Sequence, residues 1–293
     1  MIANSGVAFA LVAAVAWGLV LFGSKQYFSQ FSSATFLSVA FAVAAMWYAP
    51  VSAAAALSGS GSATLSAEVV AVVLGTIGLL TAALFLMFKG IELGEVSYVS
   101  PISRVTPVFV VPIEVALLGQ HLTPLQVAGV VVATAAVYVA NYEGGDLLLP
   151  LRRAVTYTPG QLALASALLL ALLSVSQRYM LQELGVASTV WIGIKLAGGA
   201  VLLAPVGWVR ADRSAIVAAL PQFVVLGGVL ALAEHFIGRS FATLSASIAS
   251  PIISVQSIVA VLLGGLVLRE ANLRVRLLAA VTAIVGITLV ALP

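Results

Sequence analysis

The chain has 293 residues, 62% of them hydrophobic and only 8% charged, with a mean hydropathy of +1.18. A soluble domain carries roughly 25% charged residues, so this composition excludes a water-solvated globule and calls for lipid as the solvent. The formal charge of +3 rests on few charges and implies no nucleic-acid partner, and the absence of cysteine excludes disulfides and thiolate metal sites.

A hydrocarbon core about 30 Å thick asks for about 20 apolar residues in a helix. Taken in chain order, the apolar runs predict ten spans: 4–23, 33–56, 67–88, 95–119, 122–141, 160–182, 187–208, 215–237, 242–267 and 271–292. The first run, Gly6–Phe22, has no basic segment ahead of it and reads as a retained span rather than a signal peptide. Ser58-Gly59-Ser60-Gly61-Ser62 separates spans two and three, and Thr123-Pro124 opens span five. The longer polar connector from Asn141 to Pro159 carries Glu143, Asp146, Arg152 and Arg153. It divides the chain into a first repeat (1–142), a connector (143–158) and a second repeat (159–293).

The halves repeat each other. Residues 67–142 lie on 217–292 at a constant offset of 150, so that Ser100-Pro101 falls on Ser250-Pro251 and Lys89 on Arg239. Upstream, with small gaps, Tyr27 falls on Tyr179 and Ala49-Pro50-Val51 on Ala204-Pro205-Val206. Five spans per half is an odd number, so the halves must be inverted relative to each other. That build is common among secondary transporters, whose solute site lies between the repeats. The predicted fold is therefore an all-α integral membrane bundle of about ten helices in two inverted five-helix repeats. With an even span count both termini share a face. Lys25, Lys89, Arg152, Arg153, Arg210, Arg213, Arg269, Arg274 and Arg276 lie at the opposite one. Loop charge thus predicts termini outside the cytoplasm.

The opening helix, Ala13-Ala14-Val15-Ala16-Trp17-Gly18 followed by Lys25, resembles that of the EamA-type ten-helix carriers of the drug/metabolite transporter superfamily. The end of each repeat also resembles that family's helix-loop-helix, from Pro107 to Leu118-Gly119-Gln120-His121-Leu122-Thr123-Pro124, and from Pro251 to Leu268-Arg269-Glu270-Ala271-Asn272-Leu273. Gln120 stands where Glu is usual and Arg269 where Gly is usual. The resemblance covers the whole chain. It implies a multi-pass cell-membrane carrier of small metabolites, often an amino-acid exporter, with both termini in the cytoplasm.

Charges inside spans cost at least roughly 2.5–3.5 kcal/mol and so usually face the bundle interior. Span four carries Arg104 and Glu114, about 15 Å apart along a helix axis, with Pro101, Pro107 and Pro112 interrupting it. Each charge needs a partner from elsewhere, or Arg104 snorkels to a headgroup. Glu234 and adjacent His235 on span eight are proton-coupling candidates, Glu234 alternatively pairing with Arg239 or another basic side chain. Lys195 on span seven pairs with Glu114 or Glu234, or receives a solute carboxylate. At offset 150, Arg104 faces Ser254, Glu114 faces Gly264, and Glu234-His235 face Leu84-Phe85. Charges found in one half only fit a single asymmetric solute better than a shared scaffold. Ser247, Ser250, Ser254, Gln256 and Ser257 beside Pro251 offer uncharged contacts or plain helix packing. Trp17, Tyr98, Tyr138 and Trp191 could wall a pocket, Trp17 being mid-span and least suited to interfacial anchoring.

The expected site therefore comprises Arg104, Trp17, Tyr98, Lys195, Gln256 and Ser254 for the solute, with Glu114, Glu234 and His235 for coupling and Pro101, Pro107 and Pro251 as helix breaks. Gly129/Ala133 and Ala279/Ala283 are small-xxx-small pairs suited to tight packing or to a homodimer face. No Walker loop or His-Glu-x-x-His site is present, so neither enzymatic activity, cofactor nor metal is expected. The expected partners are a small-molecule solute and the lipid bilayer. The expected action is alternating access for an amino-acid-like solute. The alternatives are sugar phosphates or nucleotide sugars held by Arg104 and Lys195, or a non-transporting subunit or receptor.

Overall fold

The computed structural model describes residues 2–58, 66–93, 105–140, 156–209, 211–267, 278, 281–282 and 284–289. The regular structure among them is entirely helical. The helices are α1 (Ile2–Tyr27), α2 (Ser33–Leu57), α3 (Ala67–Leu93), α4 (Thr106–Leu118), α5 (Pro124–Ala140), α6 (Thr158–Gln182), α7 (Ser188–Trp208), α8 (Arg213–Ala218), α9 (Leu220–Phe241), α10 (Ala246–Ser254) and α11 (Gln256–Val267). Among them α1, α2, α3, α6, α7 and α9 are long and apolar enough to cross a bilayer. Residues 284–289, within predicted span ten, are helical too.

Local chemistry sets most boundaries. Ser32 caps α2 by accepting from the Thr35 amide, and Gly119 ends α4 in the left-handed region at φ 62°. Asp212 caps α8 by accepting from the Ser214 and Ala215 amides. Two predicted single spans are split. Span eight breaks into α8 and α9 because Pro221, in the first turn of α9, has no amide to continue α8. Span nine breaks into α10 and α11 at Val255, whose amide makes a tightened 3.2 Å bond to Ile252 O.

The proline expectations need correction. Pro107 does not interrupt its helix: it lies in the first turn of α4, where a missing amide costs nothing. Pro251 lies inside α10, and the break falls one turn later, where Ser254 Oγ also bonds back to Ser250 O at 2.8 Å. Such back-bonding by serine bends helices. Pro101 lies outside the described residues.

Packing obeys the repeat. Exchanging the halves pairs α1 with α6, α2 with α7, α3 with α9 and α4 with α11. Under that exchange α1 on α9 becomes α6 on α3, α1 on α11 becomes α6 on α4, and α2 on α9 becomes α7 on α3; all six contacts are present. α2 and α7, which exchange with each other, pack together extensively. The halves are thus interleaved rather than side by side. Phe28, Phe36 and Phe223 cluster at this seam, the Phe28 and Phe223 ring centres 4.3 Å apart. Gly207 lets α7 approach α2 so closely that a Cβ there would lie 2.7 Å from Ala34 O.

Candidate functional site

Interleaving leaves a chamber of about 120 Å³ between the halves, well above the roughly 10–15 Å³ that one water needs. Its walls come from α1, α3, α4, α6, α7, α9, α10 and α11. Several wall positions are repeat equivalents: Leu84 with Glu234, Met87 with Ile237, and Thr106 with Gln256 at offset 150. The chamber therefore straddles the relation between the repeats. The rest of its lining is largely apolar, including Leu21, Leu80, Leu173, Ile253 and Phe241, with hydroxyls from Ser174, Ser250 and Ser254.

The charged end is a network of five side chains. Lys195 Nζ forms an ion pair with Glu234 Oε2 and donates to Gln177 Oε1 at 3.0 Å. Trp17 Nε1 donates to Glu234 Oε1 at 3.0 Å, and Trp191 Nε1 to Gln177 Oε1 at 3.2 Å. Lys195 is 1% exposed and Glu234 2%, so neither charge is hydrated from outside. Removing one member of such a buried pair typically costs about 3–5 kcal/mol, because the other charge is left uncompensated. Helical geometry supplies the placement: α7 delivers Lys195 from the second turn beyond Ser188, and α9 delivers Glu234 from the same half. Trp17 reaches across from the first half on α1.

Gln256, the first residue of α11 after the break, also lines the chamber. Its Oε1 is buried without a hydrogen-bond partner among the described residues. Ser254 lines the same wall, its hydroxyl turned back to Ser250 O.

Five expected site residues thus meet at one chamber: Trp17, Lys195, Glu234, Ser254 and Gln256. Two coupling candidates are not brought there. Glu114, wholly buried, accepts from the Ala246 and Ser247 amides at 2.7 Å each and from Ser247 Oγ at 2.5 Å, with Arg178 Nε 3.6 Å away. It caps α10 in place of Ser245, whose hydroxyl makes no cap bond. Arg178 also pairs with Glu183 at 3.1 Å. His235 points off the chamber, its Nδ1 2.8 Å from Tyr48 Oη and its ring edge-on to Phe236. Glu234 pairs with Lys195 rather than Arg239, whose guanidinium lies 5.4 Å over the Phe9 ring. Arg104 and Tyr98 lie outside the described residues, as does the side chain of Ser257.

Gln177, the hub of the network, was missed by the sequence reading. Its signal is an amide in mid-span, one turn beyond Ser174.

The profile of the EamA-like transporter family matches residues 4–142 and again 160–292. In three dimensions the chain superposes on a crystal structure of a protein at TM-score 0.76 over 97% of this chain and 95% of that one, with 18% identity. At that identity the likeness speaks for the fold alone. No curated protein matches in sequence. With the family unit present twice and nearly end to end, the chain belongs to the EamA-like transporter family of the drug/metabolite transporter superfamily and is a multi-pass membrane transporter.

Proposed function

We propose that this transporter carries small zwitterionic, amino-acid-like solutes by alternating access, as a secondary-active or facilitative carrier working in export. The observation that carries the reading is the opposed Lys195 and Glu234 in a chamber between interleaved repeats. An ammonium and a carboxylate on one solute match a carboxylate and an ammonium on the wall. The apolar lining around Leu21, Leu80 and Phe241 takes the side chain, and the Gln256 amide oxygen offers a further acceptor for the solute amine. A phosphate or other dianion would have to lie against the Glu234 carboxylate, which disfavours the sugar-phosphate alternative. Rocking of one repeat against the other would expose the chamber to each face in turn.

The test is counterflow in proteoliposomes preloaded in turn with amino acids, simple carboxylates and sugar phosphates, with Lys195→Ala alongside. Saturable exchange confined to amino acids and lost in the variant is expected. Exchange of sugar phosphates, or none with any solute, would overturn the proposal.

A further inference from the structure

Among the described residues that line the chamber, Lys195 and Glu234 are the charged ones, and they neutralise each other. Their neighbours hold the two heads without taking their charge. Gln177 Oε1 accepts one Lys195 proton, leaving the ammonium's other donors for the chamber. Trp17 Nε1 occupies Glu234 Oε1 and leaves Oε2 as the face that meets Lys195. Each head is therefore held by a neutral group as well as by the other head.

A carrier that supports net flux passes through an occluded state both with solute and without it. In that state an uncompensated charge has lost its water and gained nothing in return. We infer that the Lys195–Glu234 pair is a displaceable internal counter-ion, split by a zwitterionic solute and reclosed when the solute leaves. This rests on the alternating-access reading above. In the loaded chamber the solute carboxylate takes Lys195 and its ammonium takes Glu234, and the sum of charges is zero. In the empty chamber the two residues take each other, and the sum is again zero. Both forms can reorient, so the protein catalyses net downhill flux and not only exchange. A solute bearing one charge leaves the other head unmatched, so the same pair selects for solutes of zero net charge.

Two consequences separate this from a pair that merely braces α7 against α9. In Glu234→Gln the empty chamber holds an unpaired Lys195 ammonium, so return without solute is blocked while loaded return is not. That chamber is neutral when it holds a monocarboxylate lacking the amine, so preference shifts toward the deaminated acid. Lys195→Gln does the reverse and comes to prefer the amine lacking the carboxylate. A bracing role predicts neither shift.

The experiment compares two fluxes in proteoliposomes: counterflow, and efflux into solute-free medium. The probes are the amino acid exchanged best by the native protein, its deaminated acid and its decarboxylated amine. The native protein is expected to show both fluxes. Glu234→Gln is expected to keep counterflow with the deaminated acid while its ratio of net efflux to exchange falls at least about tenfold. Counterflow itself reports that the variant is folded. Should Glu234→Gln not fold, Lys195→Gln with the amine is read in the same way. An unchanged ratio with an unchanged solute preference, or a native protein that exchanges but shows no net efflux, overturns the inference. Absence of any counterflow by the native protein instead overturns the proposed function beneath it.

Discussion

Glu114 and Glu234 are both carboxylates buried in helices, and their surroundings give them opposite work. Glu114 receives three hydrogen bonds from the first turn of α10 and has Arg178 beside it. Its charge is fully used in joining a first-half helix to a second-half one. Glu114→Gln keeps an acceptor but loses the charge, and hydrogen bonds to charged groups are worth about 1.5–3 kcal/mol. The variant should therefore lower the thermal unfolding midpoint in detergent while leaving solute preference as it was; an altered preference would return Glu114 to the coupling role. Glu234 has spare capacity, held among the described residues by Lys195 and the Trp17 indole. Trp17→Phe removes the indole donor and keeps an aromatic side chain, so half-saturation in counterflow should rise about tenfold, as loss of one hydrogen bond to a charge implies. Little of this distinction was legible beforehand. Sequence places Lys195 within reach of either carboxylate, and only the packing of α7 on α9 chooses between them.

Elements were more legible than partners. The serine-capped α2, the glycine-ended α4 and the uncapped α7 fall within two residues of where apolar runs and punctuation put the corresponding span ends, except at the start of α4. The two splits escaped notice because an apolar run reads alike on both sides of a break, although Pro221 was a start signal in plain view. The Trp-Gly motif of α1 acquires a physical meaning in the packing. Trp17 bonds Glu234, and its neighbour Gly18 faces α11, where a Cβ would lie 2.6 Å from Val259 Cβ and 2.9 Å from Gln256 O. Gly18→Ala must push α11 away at the residue that offers its amide oxygen to the chamber. Overpacking of this kind costs about 1–3 kcal/mol, so both unfolding temperature and counterflow should fall. Gly75→Ala in α3 meets nothing within 4 Å. It should stabilise by up to about 1 kcal/mol through helix propensity alone, with transport unchanged. Equal effects of the two substitutions would sink the close-packing account. The small pair Gly129/Ala133 is buried, and a Cβ on Gly286 would lie 2.5 Å from Ala133 N. Tight packing within the chain, one of the two roles expected of that pair, therefore occupies it.

At the scale of the whole molecule, one unit used twice explains both the interleaved contacts and the position of the chamber. Positions equivalent by repeat share its lining, with charged Glu234 in one half where the other half has apolar Leu84. The same logic makes the inversion testable. Lys89 and Arg239 are equivalent by repeat, and inversion requires them at opposite faces of the membrane. The chain contains no cysteine, so Lys89→Cys and Arg239→Cys each create a single label site without further engineering. A membrane-impermeant maleimide applied to right-side-out and inverted vesicles should label the two variants from opposite sides. Labelling of both from one side would mean parallel repeats and would dissolve the equivalence on which the chamber is argued. The labelling also decides between the two orientation signals. The loop charges put Lys89 on the cytoplasmic face with the termini outside, whereas the family frame puts Arg239 and both termini in the cytoplasm. Because Glu114, Arg178 and Arg239 all lie toward the face of the termini, the outcome also states on which side of the membrane the α4–α10 tie lies.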